Sequence, residues 1–247
     1  MSVLRPIVLL AITLLALTFW PIAAGVPGQR PPDQTGITRE IFGQYGIILA
    51  DRTARWSTDE VASVQRALNA IAARFTALTG QAAESTLKQL LSGAVFYRDT
   101  ASLNRIAYTL AGEVSVYDRW VAYDQTERTF YLAHEVGHLL DTRTSLWHLF
   151  MGEVSTGFAQ GVGAYSDQHG VYQLGANFPR WPTPDQIRHR SDSAAEDWAE
   201  SFATVLVPEF ESTLRDIGAA RQAAVKCRLT DWQGQAAERL AVSKAER

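Results

Sequence analysis

Cysteine is nearly absent from the chain, in which Cys227 is the only example among 247 residues. A single cysteine excludes an intrachain disulfide, and it excludes zinc sites built from CxxC pairs. We therefore expect no disulfide partner for Cys227, which we predict to be a small buried side chain on a helix. Packing, together with any metal held by other residue types, must stabilise the fold.

A strong charge of either sign is also lacking. Lysine and arginine number 23 against 26 aspartate and glutamate residues, which gives a formal net charge of −3. This balance provides no basic surface for nucleic acid, so we expect no nucleic-acid partner. The chain has no internal repeat and no long low-complexity tract. With 47% hydrophobic and 20% charged residues, it has the composition of a globular domain with a sizeable core.

The amino terminus has the pattern of a secretory signal. Arg5 precedes an apolar run over residues 7–20, and the small residues at 21–25 offer a cleavage site. We predict a signal peptide, or alternatively an uncleaved membrane anchor, over residues 1–24. If the segment is an anchor, residues 7–24 enter the membrane, although a comfortable span needs about 20 apolar residues. The predicted location is secreted or extracytoplasmic.

Proline and glycine are concentrated in residues 25–36, which we predict to be a flexible linker. The remainder, residues 37–247, is predicted to form a single domain. Ser57 or Thr58 can cap a helix whose apolar residues recur at helical spacing up to Gly80. Further helices are predicted over residues 85–91, 125–142, 191–207, 209–228 and 231–246.

Strand signals are fewer and lie before residue 118. Residues 41–49 are apolar and are predicted to form a first strand, followed by strands within residues 94–97, 106–110 and 112–118. We predict that residues 112–118 form the edge of a small sheet that lines a cleft, where an extended peptide pairs through its backbone. An ordinary meander strand is the alternative. The predicted fold class is α+β, mostly helical with a small β-sheet.

The most informative stretch is His134-Glu135-Val136-Gly137-His138. Two histidines four residues apart lie on one face of a helix, so both imidazoles can reach a single ion. A glutamate beside the first histidine can take a proton from water at that ion. Zinc suits this set because it accepts neutral imidazole and tolerates an open position. Gly137 weakens a helix interior, which is easier to understand if another element packs closely against it.

A third ligand must come from elsewhere in the chain. Glu196 and Glu200 lie four apart on the predicted helix 191–207, so one can bind the ion while the other orients a histidine. We predict Glu196 as the ligand. Its alternative role is to close a capping box with Ser193. Asp141, one turn beyond His138, is the competing ligand, and more distant candidates are Glu153 and Asp167.

These two helices together resemble the gluzincin zinc metallopeptidases, and within them the catalytic-domain type of anthrax lethal factor. That group combines an HExGHxxD-like helix with a downstream E-x-x-A-E-x-F helix. The chain has HEVGHLLD at residues 134–141 and EDWAESF at residues 196–202. The resemblance covers these two segments only. It implies a zincin-like domain holding one Zn²⁺ through His134, His138 and Glu196, with Glu135 as the base and Glu200 as an outer carboxylate.

The group usually has a tyrosine just before the second helix that stabilises the oxyanion, but this chain has Arg188-His189-Arg190 there. His189 is our first candidate for that role, and Tyr172 and Tyr165 are the others. The glycine- and aromatic-rich residues 143–190 are predicted to form the wall or lid of a cleft, or else an irregular excursion packed on the domain.

The resemblance implies an exported zinc-dependent metallopeptidase that cleaves a protein or peptide substrate through water activated by Glu135. Two alternatives from other classes stay open. One is an exported non-catalytic binding protein with a structural zinc site of four protein ligands, in which Asp141 or His189 supplies the fourth. The other is a degenerate protease fold without a metal.

Overall fold

Helices form most of the described part of the chain, which also contains a small sheet. The structure is a computed structural model that describes residues 36–100, 105–110, 112–143, 154–155, 158, 194–210 and 217–245. The helices are α1 (Gly36–Tyr45), α2 (Thr58–Thr79), α3 (Glu84–Leu91), α4 (Asp118–Val121), α5 (Gln125–Arg143), α6 (Ala194–Leu206) and α7 (Gly218–Ala245), with a 3-10 turn at Pro208–Phe210. The strands are β1 (Ile48–Asp51), β2 (Val95–Arg98), β3 (Ala107–Leu110) and β4 (Glu113–Val116).

The coarse α+β prediction is confirmed within these residues. The predicted signal or anchor segment lies outside them, as does the predicted linker except for Gly36. Among the described helices, none has both the length and the hydropathy needed to cross a membrane.

Helix α2 shows how closely local sequence determines an element. Its N-cap Ser57 accepts a hydrogen bond from the backbone N–H of Glu60 at 3.3 Å, and the Glu60 carboxylate accepts from the Ser57 N–H at 2.7 Å. This reciprocal pair is the capping box, and it satisfies two N–H groups that the helix itself cannot. Gly80 ends the helix in the left-handed region, with φ 74°. Both predicted boundaries are confirmed.

The sheet has the strand order β1-β2-β4-β3. β1 with β2 and β2 with β4 are parallel pairs, whereas β3 runs antiparallel to β4 with Ala107 opposite Val116. The prediction that residues 112–118 form the sheet edge is therefore wrong, because β4 lies in the interior and β3 is the edge. β4 pairs with β2 on its other side, so β3, the earlier of the two antiparallel strands, lies on the outside.

Two other predicted elements are also wrong. Residues 41–49 divide into the end of α1 and the start of β1. Ile41 and Tyr45 are spaced as a buried helical stripe, and a Cβ at Gly43 would meet no atom within 4 Å. The two predicted C-terminal helices are one helix, α7. Cys227 is exposed on α7 and not buried as predicted, since the buried face of that helix passes through Val225 and Leu229.

Helix α5 is central to the helical layer. It packs mainly against α6 on one side and α2 on the other, and it crosses β3 and β4. Its predicted stripe of Leu132, Val136, Leu139 and Leu140 is buried, and Phe130, Tyr131 and Ala133 are buried as well. Trp198 of α6 makes an edge-to-face contact with Trp232 of α7, with ring centroids 5.9 Å apart. The site helices α5 and α6 are thus held between α2 and α7.

Candidate metal centre

The two histidines of α5 lie one turn apart and converge on one point. Their Nε2 atoms are 3.0 Å apart. His134 is buried, and 16% of the His138 side chain is exposed. The helix begins at Gln125, and the 3.6-residue repeat brings positions 134 and 138 onto the same face. This pair is what the sequence predicted.

Glu196, in the first turn of α6, completes the group. Its Oε2 lies 3.3 Å from His134 Nε2, and its Oε1 lies 3.5 Å from His138 Nε2. Zinc bonds of about 2.0–2.1 Å at tetrahedral angles separate ligand atoms by about 3.3 Å. The two distances to Glu196 involve different oxygens of its carboxylate. With one ligand atom taken from each residue, the three atoms lie within 4.8 Å of one another, so they can converge on one ion. Within the described residues, His134, His138 and Glu196 form a group that could hold a metal ion.

The electrostatics of the group favour an ionised carboxylate. Burial by itself would raise the pKa of Glu196, but the charge of His138 and hydrogen bonds from both histidines outweigh burial and hold this pKa well below its ordinary value. Glu196 is therefore negative at neutral pH, as a metal ligand must be. A bound cation would act in the same direction as the histidine charges.

Glu200 lies on the other side of the first histidine. Its Oε1 is 3.6 Å from His134 Nδ1, while His134 Nε2 points to Glu196. This separation is longer than a hydrogen bond, but it joins the carboxylate to the ring nitrogen that faces away from the metal group. A carboxylate in this position favours the tautomer with the proton on Nδ1, which leaves the Nε2 lone pair available to an ion.

The side chain of Glu135, the predicted base, is hydrogen-bonded to a residue of the sheet. It is buried, and its Oε2 accepts a hydrogen bond of 2.6 Å from Thr109 Oγ1. The same hydroxyl lies 3.1 Å from the backbone oxygen of Glu135. Thr109 belongs to β3, so the edge strand does approach the metal helix, although it is a different strand from the one predicted.

Gly137, between the two histidines, faces α6 at close range. A Cβ built at this position would lie 3.0 Å from the Cα of Ala199 and 3.4 Å from Phe202 Cδ1. A larger residue would have to displace the backbone of α6, so glycine is required here. The close packing that the sequence predicted at Gly137 is confirmed. This contact is one turn from the ligand Glu196.

A buried ion pair holds the ligand-bearing turn of α6 to α7. Asp197 is fully buried and receives two hydrogen bonds from Arg221, Nε to Oδ1 at 2.8 Å and the second guanidinium nitrogen to Oδ2 at 3.0 Å. Ser201 Oγ lies 3.4 Å from the same Oδ1. Because Asp197 follows Glu196 directly, the pair fixes the helix at the third ligand.

The competing ligand Asp141 is not part of the group. Its Oδ1 accepts a hydrogen bond of 2.8 Å from the Ser155 N–H, so it supports the chain that follows α5. The other predicted candidates lie outside the described residues, as does the Ser193 half of the alternative capping box. They are His189, Tyr165, Tyr172, Glu153 and Asp167.

Sequence reasoning missed Thr109 and Arg221. A threonine in an alternating strand and an arginine on an amphipathic helix carry no signal of their own, because both contacts depend on tertiary packing. Comparison of the chain with protein families, with curated proteins and with solved structures found no match.

Proposed function

We propose that the chain is a zinc metallopeptidase of zincin-like fold. The observation that carries the proposal is the group of His134, His138 and Glu196, whose ligand atoms, one from each residue, lie within 4.8 Å of one another. Two histidines and a glutamate are a set that catalytic zinc sites use, with a fourth position left open. The described residues supply three ligands and no fourth.

When bound at this group, zinc supplies the Lewis acidity that polarises a peptide carbonyl and acidifies water. The rest of the proposed chemistry belongs to side chains of the protein. Glu135 takes a proton from the attacking water and returns it to the leaving amine. Glu200 keeps His134 in one tautomer. Stabilisation of the oxyanion is assigned to His189, with Tyr172 and Tyr165 as the other candidates.

The sheet supports a peptide as the substrate. β3 lies at the edge of the four-stranded sheet and next to the helix that carries the two histidines. An extended peptide can pair with such an edge through backbone hydrogen bonds. We also propose that the protein is exported, on the strength of the signal-like pattern in residues 1–24.

The test begins with the metal content of the purified protein, for which we expect one zinc ion per chain. The protein should then cleave members of a peptide library, and a chelator should stop the cleavage. The variant Glu135→Gln should keep its zinc and lose hydrolysis. Cleavage by this variant at the rate of the unaltered protein would contradict the mechanism.

The rival function is a binding protein with a structural zinc of four protein ligands. Asp141 does not serve as the fourth ligand here, since its carboxylate accepts the Ser155 N–H. A cobalt-substituted protein separates the two functions. A spectrum that shows an exchangeable water ligand on cobalt supports the peptidase. A spectrum of cobalt with four protein ligands and no water supports the rival. Protein purified without any metal would instead indicate a degenerate protease fold.

A further inference from the structure

Thr109 is the residue whose position the proposed reaction does not yet explain. Its hydroxyl is the only side-chain group from the described part of the sheet that is seen to bond Glu135. The neighbouring inward-facing positions, Ala107 on β3 and Val114 and Val116 on β4, are apolar and buried. A valine would suit such a surface as well as a threonine does, so packing alone does not account for the hydroxyl.

The two contacts of this hydroxyl restrict Glu135. Thr109 Oγ1 lies 2.6 Å from Oε2 and 3.1 Å from the backbone oxygen of the same residue. The shorter oxygen–oxygen distance is in the range of a hydrogen bond from a hydroxyl to an ionised carboxylate. Because a hydroxyl has one proton, it donates to one oxygen at a time, and the charged oxygen is the stronger acceptor. The contact thus limits rotation of the Glu135 side chain about its three single bonds.

We propose that Thr109 is a positioning residue for the base, an inference that rests on the proposed function. Its hydroxyl holds Oε2, so that Oε1 is the oxygen that exchanges the proton. The proton passes from water to Oε1 and then to the nitrogen of the leaving amine, while Thr109 keeps its own proton throughout. The edge strand therefore contributes a side chain to the reaction, in addition to any backbone pairing with the substrate.

The first test compares Thr109→Val, which has nearly the same shape and no hydroxyl, with Thr109→Ser, which retains the hydroxyl. We expect the valine variant to lose roughly 10- to 100-fold in kcat with little change in KM, because a displaced catalytic group costs rate. The serine variant should recover most of the loss, and both should bind one zinc. Thr109→Ala removes the hydroxyl without requiring a new methyl group to fit, and it should behave as the valine variant does.

Ser115→Ala is the matched control. Ser115 lies on β4 opposite Tyr108, and its hydroxyl accepts a hydrogen bond of 3.1 Å from Arg52, away from Glu135. Loss of this hydroxyl should leave kcat unchanged. A fall in kcat equal to that of the valine variant would show a general effect of altering the sheet and would overturn the assignment.

A second measurement does not use activity. Unfolding of the metal-free protein is followed in a double-mutant cycle of Thr109→Val and Glu135→Ala. We expect the two changes to be non-additive, because each removes the same hydrogen bond. Additive effects would show that the bond contributes nothing and would overturn the inference.

The outcomes also separate this inference from the function on which it rests. If the unaltered protein cleaves peptides, Glu135→Gln does not, and the valine variant has normal kcat, then the assignment of Thr109 fails and the peptidase stands. If the unaltered protein shows no zinc-dependent cleavage, the peptidase fails and the role of Thr109 fails with it.

Discussion

The indole nitrogen of Trp198 donates a hydrogen bond of 2.9 Å to the backbone oxygen of Gly137. The donor is on α6, two residues beyond the ligand Glu196. The acceptor is on α5, one residue before the ligand His138. This bond joins the buried faces of the two helices and, together with the packing at Gly137, positions Glu196 relative to the histidine pair.

The close approach at Gly137 predicts the effect of Gly137→Ala. Alanine favours a helix by about 1 kcal/mol, but overpacking costs about 1–3 kcal/mol when backbone must move. The new Cβ would be 3.0 Å from the Cα of Ala199, so we expect net destabilisation and weaker zinc binding. Urea unfolding and a zinc titration measure the two effects.

Gly234→Ala is the control for that variant. Gly234 lies within α7, and a Cβ there would have no atom within 4 Å. The same substitution should therefore stabilise the protein by up to about 1 kcal/mol. If both variants are stabilised, the contact between α5 and α6 is looser than described.

The buried ion pair predicts that Arg221→Met is strongly destabilising. It leaves the carboxylate of Asp197 buried without its cation, which costs about 3–5 kcal/mol. The double variant Asp197→Asn with Arg221→Met removes the charge as well and should recover much of the loss. Chemical unfolding of the unaltered protein, the single variant and the double variant measures these stabilities. Equal stability of the single and double variants would contradict the claim that the single variant loses stability through an uncompensated buried charge.

The carboxylate behind His134 predicts a graded effect on metal affinity. Glu200→Gln keeps the shape of the side chain but removes the charge that faces Nδ1. We expect zinc affinity to fall by about 10- to 100-fold without loss of the site. Competition with a chromophoric chelator measures it. Glu209→Gln, at an exposed position of the 3-10 turn, should bind zinc normally.

Tyr45 predicts how stability changes in alkali. Burial, together with the nearby charge of Glu84, raises the pKa of Tyr45 to about 12, and its hydroxyl donates to Asn69 Oδ1 at 2.7 Å. The unfolded chain loses this proton near pH 10, so the stabilisation is complete below pH 10 and is lost as pH rises to about 12. Urea unfolding from pH 9 to 11.5 should show the advantage over Tyr45→Phe shrinking. A constant difference would contradict the raised pKa.

The helices around the site were predictable because their signals are local. The spacing of His134 and His138, the capping residues Ser57 and Gly80, and the limit set by Pro208 all act within a few residues of the element that they define. The pairing with Glu196 followed from a second helix with carboxylates on one face. The geometry of the group agrees with that prediction.

The sheet was less predictable because strand order depends on contacts far apart in the sequence. Nothing within residues 107–116 indicates whether β3 or β4 lies at the edge. The bond from Thr109 to Glu135 depends on that order, so it could not be anticipated. Residues 41–49 were predicted as a strand because they are apolar and contain Gly43 and Gly46, which weaken a helix. The helix nevertheless continues to Tyr45, and a side chain at Gly43 would meet no atom within 4 Å.

The division of the candidate ligands between α5 and α6 has a consequence for how the protein would acquire the proposed zinc ion. The two histidines are brought onto one face when a single helix, α5, forms. Glu196 joins them only after α6 has packed against α5 at Trp198 and Gly137. If zinc binds as proposed, a partly folded chain would hold it weakly, through two nitrogens alone. Tight zinc binding would therefore require that α5 and α6 have packed together. During refolding, zinc uptake should lag behind the appearance of the helical circular dichroism signal.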